Sequence, residues 1–227
     1  MNRNLLTVLL TIATCLQLQA QQVELMFSAG MGGYAMGDLK ILNTNLQKQI
    51  PFTTKVTSNF PMTLQYGGYF AVHMSQIYKI GILYTYNTTG SRIAASDYSG
   101  SYHFDNVLAG HTIGMLNSFV IYKQQAFRVE IQMNLGVIVS TLKMNEEMHV
   151  ADTTISTSVH YSAVGFFGEP LIEATYPWKF LKAGIFIGYL ANPGGKIRNE
   201  QGDKSTSTIN WSGIRFGIEI GIHQINH

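Results

Sequence analysis

Ionisable side chains recur on one parity in several alternating segments of this 227-residue chain. Arg128 and Glu130 are separated by one residue, and Arg215 and Glu219 share a parity in the last apolar segment. Residues two apart on a β-strand point to the same face of a sheet, so these charges are expected to lie together. The full set on that parity is Glu24, Arg128, Glu130, Glu169, Glu173, Lys182, Arg215 and Glu219.

Two carboxyl groups in this set have the residue types of an acid–base pair. Glu169 and Glu173 are four residues apart on one face of a predicted strand, but no nucleophile completes the pattern. Buried charges in a narrow interior must be paired or hydrated. The spacing therefore favours a charge network that fills the interior over a catalytic pair, and no catalytic residue is predicted.

Histidines and aspartates form a second group toward the loop side of the predicted strands. The group contains His103, His111, His149 and His160 together with Asp97, Asp105 and Asp152. Imidazole and carboxylate groups are metal ligands, yet no pair has a ligand spacing such as HxH or HxxxH. The pattern predicts no metal site and no cofactor.

The element that positions these charges is a long amphipathic strand, Phe127–Thr141. It is long enough to span a membrane, which takes about 9–11 residues, whereas strands of soluble proteins average about 5–6. A strand of a soluble sandwich also alternates, so the number of repeats decides. Its predicted lipid-facing residues are Phe127, Val129, Ile131, Met133 and Leu135, and those of the last strand are Ile214, Phe216, Ile218, Ile220 and Ile222.

Eight segments show this alternation. Two contain irregularities: His111 and Asn117 share a parity with apolar residues, which suggests a bulge midway along that strand, and Pro170 predicts a bulge or local break. The segments are Val23–Ala35, Met62–Met74, Ile80–Asn87, Val107–Tyr122, Phe127–Thr141, His160–Tyr176, Leu181–Leu190 and Gly213–Ile222.

The connections between the strands are the second signal. Three tight turns interleave with four long polar segments, as in an up-and-down barrel. Within the first long segment, Asp38–Ile50 has helical spacing and is expected to pack over the barrel rim or lie at the membrane surface. The ends of the second, Ser91–Ala95 and Ser101–Phe104, have strand character, whereas Leu142–Val159 and Ala191–Thr208 are predicted to be polar loops.

Aromatic residues flank the predicted strands at both ends, as interfacial girdles do. Tyr78, Tyr122, Tyr176 and Trp178 are placed on the turn side, and Tyr34, Tyr86, Tyr161, Tyr189 and Trp211 on the loop side. The predicted fold class is an all-β, eight-stranded antiparallel up-and-down transmembrane β-barrel with four long outer loops and three short periplasmic turns.

The N-terminus has the layout of a cleaved secretory signal. Arg3 precedes the apolar Leu5–Ile12 core, and cleavage is expected after Ala20, which gives a signal peptide over 1–20 and a barrel over 21–227. Cleavage removes Cys15, so the mature chain has no disulfide; lipidation at Cys15 is the less favoured alternative. The near-neutral mature chain has no electrostatic footprint for nucleic acid.

At this point the chain resembles the OmpA/OmpX-like small outer-membrane β-barrels of Gram-negative bacteria. Three segments share this similarity: Gly37-Asp38-Leu39-Lys40, Asp97-Tyr98-Ser99-Gly100 and Trp211-Ser212-Gly213-Ile214-Arg215. The resemblance implies outer-membrane lipid and the barrel insertion machinery as partners. Such barrels commonly end on an aromatic residue, whereas this chain ends His223-Gln224-Ile225-Asn226-His227.

The sequence therefore favours an integral, non-enzymatic protein of the bacterial outer membrane. Its lumen is expected to be filled by side chains, and its surface loops to serve structure or recognition of a partner that the sequence does not specify. A narrow channel for small apolar molecules or ions is the alternative. An enzyme acting on outer-leaflet lipid is the third hypothesis.

Overall fold

The computed structural model describes residues 22–50, 54–98, 100–150, 153–199 and 201–223. The predicted signal peptide over residues 1–20, Asp152 and the C-terminal residues 224–227 lie outside the described residues. Within the described chain there are eleven strands and one helix. They are β1 Val23–Gly32, α1 Gly37–Gln49, β2 Lys55–Asn59, β3 Thr63–His73, β4 Tyr78–Asp97, β5 Gly100–Gln124, β6 Phe127–Val150, β7 Thr153–Trp178, β8 Leu181–Leu190, β9 Gly195–Arg198, β10 Lys204–Ile209 and β11 Gly213–His223.

Eight of these strands form a closed antiparallel ring. The order around the ring is β1, β3, β4, β5, β6, β7, β8 and β11, and β11 pairs with β1 from Glu24↔His223 to Gly32↔Arg215. Each strand of the ring pairs with the ring strand that follows it along the chain, so the connectivity is up-and-down. The predicted eight-stranded barrel is confirmed.

Short turns connect the strands at the end where β1 begins and β11 ends. Gln125 and Ala126 join β5 to β6, and Lys179 and Phe180 join β7 to β8. Gln125 and Lys179 adopt the left-handed conformation, with φ of 52° and 54°, as tight hairpin turns require. In the remaining turn, the Ser75 hydroxyl accepts a hydrogen bond from the amide of Tyr78 at 3.1 Å.

The opposite end of the barrel is extended. β1, β3, β8 and β11 have 10 or 11 residues, whereas β4 to β7 have 20 to 26. The strand character of Ser91–Ala95 and Ser101–Phe104 is confirmed by β4 and β5. Residues 142–150 and 153–159 of the predicted loop Leu142–Val159 instead continue β6 and β7, because they pair with each other along one antiparallel ladder that satisfies their backbone hydrogen bonds.

The fourth outer connection also contains paired strands. β9 and β10 form a hairpin within the predicted loop Ala191–Thr208, and Arg198 of β9 pairs with Ser162 of β7. β2 extends the wall on the other side by pairing with β4. The barrel wall therefore continues beyond the short strands at this end.

The two predicted irregularities differ from expectation in position or kind. The bulge in β5 lies at Ile121, between Val120 and Tyr122, and not midway along the strand. At Pro170 the β7–β8 ladder is interrupted, yet its register is the same on both sides, so a local break and no bulge is present. The break follows from the missing N–H of proline.

His111 and Asn117 therefore remain on the outward face of β5, where polar partners satisfy them. The hydroxyl of Tyr84 lies 2.8 Å from the His111 Nδ1 atom, and the hydroxyl of Tyr78 donates to Asn117 at 2.9 Å. Hydrogen bonds from neighbouring tyrosines thus allow polar side chains on an otherwise apolar face, without a shift of register.

Helix α1 lies over the extended end of the barrel, which is one of the two positions predicted for Asp38–Ile50. Leu39 and Asn43 are buried, and the amide of Asn106 on β5 donates to the Asn43 side-chain oxygen at 2.8 Å. At the start of the helix, the Asp38 carboxylate accepts hydrogen bonds from the backbone and hydroxyl of Thr208, both at 2.8 Å. No helix in the described part of the chain is long and apolar enough to cross a membrane.

The Asp38 contacts predict a local effect of mutation. Asp38→Ala removes two hydrogen bonds to a charged acceptor and should lower the free energy of opening of α1 by about 1–2 kcal/mol. Hydrogen exchange in detergent should then show faster exchange in α1 at an unchanged global unfolding midpoint. Thr44→Ala on the exposed face of α1 is the control, and unchanged protection of α1 in Asp38→Ala would contradict the docking.

Beneath α1 an apolar layer closes the interior. Tyr34 and Trp211 pack edge-to-face there, with ring centroids 4.8 Å apart, and the Trp211 indole donates to the Ser140 hydroxyl at 2.8 Å. Tyr161 packs partly buried against the same cluster. These three residues do not belong to the loop-side girdle predicted for them. Tyr34 and Trp211 lie beyond the strand ends and pack inward, and Tyr161 shares the inward parity of Ala163 and Phe167 on β7. Tyr189 remains exposed on the outward face.

Candidate functional site

The lumen contains a buried ionic cluster in the half nearer the short turns. Its central cation is Lys79 of β4. Lys79 was not among the predicted lumen charges, although it lies on the lumen parity of that strand. The Lys79 ammonium lies 3.0 Å from Glu24, 2.8 Å from Glu130 and 3.5 Å from Glu173. Lys79 also donates to the Tyr69 hydroxyl at 3.1 Å. One cation thus connects five strands of the ring, β1, β3, β4, β6 and β7.

Lys182 of β8 is the second cation of this cluster. Its ammonium lies 2.9 Å from Glu24, 3.7 Å from Glu130 and 3.6 Å from Glu173. His73 lies 3.2 Å from the other oxygen of Glu24. Because Lys79 and Lys182 share the same three carboxylates, the five groups form one network rather than separate pairs.

Neutral side chains add hydrogen bonds to the three carboxylates. The Tyr69 hydroxyl donates to Glu24 at 2.6 Å, and the Ser118 hydroxyl donates to Glu130 at 2.7 Å. The Gln132 amide donates to Glu173. Since buried carboxylates are costly unless paired and hydrogen-bonded, these donors are what make such a dense set of charges tolerable.

A second, smaller cluster lies higher in the lumen. The Arg215 guanidinium lies 2.9 Å from Glu169 and donates to the Gln65 amide oxygen. Asn134 donates to Glu169 at 3.1 Å. Glu219 is buried between the two clusters and is in no ion pair among the described residues. The two ionic clusters are separated by buried apolar side chains such as Leu83, Leu116 and Phe186, and the end of the lumen beneath α1 is mainly apolar.

Arg128 is the member of the predicted network that the structure does not bring into it. Its side chain is only partly buried and lines the mouth of the lumen at the short-turn end, near His73, Lys182 and His223. It forms no ion pair within the described chain. The physical reason is its position along the strand. Arg128 is the second residue of β6, two residues closer to the short-turn end than Glu130.

Little empty space remains inside the barrel. The cavity between the two ionic clusters has a volume of about 30 Å³ and is lined by Tyr69, Gln132, Glu169, Arg215 and Glu219 among others. The mouth cavity near Arg128 has about 20 Å³. Such volumes hold about one or two water molecules each, because a water needs roughly 10–15 Å³ on this measure.

The outward face is apolar around the ring. Nine of the ten residues predicted to face lipid are exposed, among them Ile218, Ile131 and Phe216, and Val129 is half-buried. Tyr176 and Trp178 are exposed at the short-turn end. Soluble proteins rarely expose a continuous apolar surface of this extent.

The histidines and aspartates of the outer connections are not brought together. Among the described residues no group of three or more His, Cys, Asp or Glu side chains has the geometry of a metal site. Asp105 instead forms a bidentate ion pair with Arg92 at 2.6 and 2.7 Å, and the pKa of Arg92 is raised by this pairing.

On the inner side of the extension, burial and a hydrogen bond to Glu146 raise the pKa of Tyr102 to about 12.

Comparison with known proteins identifies similarity at the level of structure. No protein-family model matches the sequence, and no curated protein matches it. Among solved structures, the outer membrane protein OprG from Pseudomonas aeruginosa is similar with a TM-score of 0.50 and 12% identity, over 92% of this chain and 98% of that one. Two further structures are similar with lower TM-scores.

These two structures are Ail of Yersinia pestis and neisserial surface protein A. Ail, in complex with the heparin analogue sucrose octasulfate, has a TM-score of 0.43 and 8% identity over 91% of this chain and 100% of that one. Neisserial surface protein A has a TM-score of 0.39 and 7% identity over 88% and 96%. The described chain forms a closed ring of eight antiparallel strands and is similar to OprG in structure. It therefore has the fold of the small outer-membrane β-barrel proteins of Gram-negative bacteria, which confirms the resemblance to the OmpA/OmpX-like class at the level of the fold.

Proposed function

We propose that the protein is an integral outer-membrane β-barrel with a closed lumen, in which the charge network is structural and the extended outer wall serves surface structure or recognition. The single observation that carries this proposal is the interior: Lys79 and Lys182 are each within 4 Å of Glu24, Glu130 and Glu173. An eight-stranded barrel is just wide enough for side chains to fill it.

The outward face supports the membrane location. The short strands have 10 or 11 residues, which matches the length of a tilted membrane-spanning strand. Along them the exposed residues are apolar, so a bilayer is the environment in which this surface is stable. Export by a cleaved signal peptide and insertion by the barrel machinery belong to the same proposal.

The arrangement of the lumen also supports a non-enzymatic role. Glu169 and Glu173, the one pair with acid–base residue types, contact different cations: Arg215 for the former, Lys79 and Lys182 for the latter. A carboxylate whose oxygens contact a buried cation is not free to accept a proton from a substrate. Recognition would fall to the outer wall, where Tyr98 is fully exposed at the tip of the β4–β5 hairpin.

A channel for ions or small apolar molecules is the function that the proposal opposes, and bilayer recording separates the two. Folded wild-type protein inserted into a planar bilayer should give no steady single-channel current, because the lumen cavities lined by described residues, between the ionic clusters and at the mouth, have volumes of about 30 Å³ and 20 Å³. A wide porin recorded in the same bilayer shows that the assay detects open barrels. Steady wild-type currents, or saturable uptake of a small apolar dye into proteoliposomes, would replace the closed-lumen proposal with a channel.

A further inference from the structure

Four basic side chains lie on the outward face of the upper wall, away from the lumen. Lys143 is on β6, His160 on β7, and Lys196 and Arg198 on β9, and all four are exposed. Lys143 is paired with His160, and Arg198 with Ser162, two residues from His160 along β7. Directly opposite residues are about 4.5–5.5 Å apart at Cβ and diagonal ones about 7–8 Å, so the four form one surface, here named the basic rim.

None of the four basic-rim residues has an acidic side chain within ion-pair distance among the described residues. The neighbouring Arg92, by contrast, is neutralised by Asp105 at 2.6 Å. Asp105 is the acid nearest to Lys143 in register, since it pairs with Asn145, two residues further along β6. Its two oxygens are already occupied by the guanidinium of Arg92. The rim therefore presents uncompensated positive charge to an external anion.

The height of the basic rim is set by the change of side chains along β7. Ile172, Phe166 and Val164 face outward with exposed fractions of 50%, 76% and 60%, and the next outward residues are Ser162 and His160. The apolar band therefore ends at Val164. On β6 the same change occurs between Val139 and Lys143. The rim lies directly above the apolar surface, at the depth where lipid headgroups meet the barrel.

The basic rim occupies one side of the barrel. On β11, β1 and β3 the outward face ends on Ile214, Met31 and Leu64, and the described residues of these three strands have no outward Lys or Arg. A general attraction to an anionic surface would be served by cations around the whole ring. A cluster on three adjacent strands instead suits a discrete molecule bound to that side.

We propose that the basic rim binds the phosphate groups of an anionic lipid of the outer leaflet, whose acyl chains lie on the apolar surface around Val164 and Phe166. One amphiphilic molecule contacts both surfaces, whereas a soluble polyanion contacts only the basic rim. Lys and Arg side chains bind phosphate by charge-assisted hydrogen bonds. This inference rests on the proposed membrane location, and it adds a ligand class and a binding surface.

Titration of the folded protein in neutral detergent with diphosphorylated lipid A, followed by native mass spectrometry, tests the proposal. The double variant Lys143→Gln/Arg198→Gln should weaken binding about 25-fold, because each surface cation contributes roughly 1 kcal/mol, or about fivefold. The matched control is Lys48→Gln/Lys55→Gln, which removes the same charge from α1 and β2 on the same side of the membrane and should leave binding unchanged. Raising the salt concentration should weaken wild-type binding more than binding by the rim variant.

Three results would overturn the lipid assignment. An equal loss in the Lys48/Lys55 control would show a general charge effect, and equal binding of dephosphorylated lipid A would exclude phosphate recognition. Tighter binding of a soluble sulfated oligosaccharide at the same residues would assign the rim to a soluble polyanion. Failure of the membrane proposal is recognised separately, by a folded barrel that does not float with lipid vesicles while lipid A binding in detergent is still measured.

Discussion

Replacing Lys79 by methionine should lower the free energy of unfolding by about 3–5 kcal/mol, because it leaves Glu24, Glu130 and Glu173 to share the single cation Lys182. Methionine retains the length of the side chain, so the effect is electrostatic rather than a cavity. The loss should appear as a lower urea midpoint in detergent titration, followed by the fluorescence of Trp211, which is buried in the lumen.

Arg128→Met is the matched control for this variant. It removes a cation from the same end of the barrel, but Arg128 is partly exposed and in no ion pair among the described residues. Its unfolding midpoint should be close to that of the wild type, in contrast to the large loss expected from the sequence pattern alone. The double variant Lys79→Met/Glu130→Gln should recover part of the stability by removing one of the orphaned carboxylates.

The network proposal fails if Lys79→Met and Arg128→Met have the same midpoint. That result would mean that protons or water compensate the carboxylates as well as the ammonium does. A full loss in Lys79→Met with no recovery in the double variant would instead indicate that the contact to Tyr69, and not the ion pairs, is what matters.

Ile218→Arg should destabilise the barrel by about 2–4 kcal/mol in a bilayer, because it places a charge on the lipid-facing surface near the membrane midplane. Ile218 is 64% exposed and lies in the middle of β11, which pairs along its length with β1 and β8. In water an exposed isoleucine could be replaced by arginine at almost no cost. The size of the loss in stability therefore depends on whether lipid or water surrounds this face.

Val107→Arg is the control for the lipid face. Val107 is 52% exposed and outward on β5, but it lies beyond the short strands, opposite Gly90 and Lys143. Its replacement should change the unfolding free energy little, and folding into lipid vesicles measured by gel mobility should distinguish the two variants. Equal stability of Ile218→Arg and wild type would show that this face is not in contact with hydrocarbon. Gln132→Arg is a poor control, since Gln132 is buried and donates to Glu173.

The sequence by itself was sufficient for the barrel and for the two faces of its strands. A period of two is a local property of the extended chain, so the outward positions of Ile131 and Ile218 and the inward positions of Glu130 and Glu219 follow from parity alone. The rhythm of short and long connections determined the up-and-down order. Lys79 could also have been found in this way, since it shares the parity of Thr85 and Asn87.

The partners inside the lumen were decided only by tertiary structure. Lys182 and Glu24 are 158 residues apart and meet at 2.9 Å because the ring closes between β11 and β1. Parity states that two side chains face the lumen but not at what height, since height depends on the register of every ladder and on strand tilt. Arg128 has the right parity and the wrong height.

The outer end of the chain depended on tertiary structure for the same reason. Tyr34 and Trp211 lie beyond the ends of β1 and β10, where alternation no longer specifies a face, and only packing beneath α1 places them inside. Likewise Thr- and Ser-rich segments around residues 142–159 have weak local preferences, and pairing with a neighbouring strand made them part of the wall. Local pattern determined which way each strand faces, whereas closure of the ring determined which side chains meet.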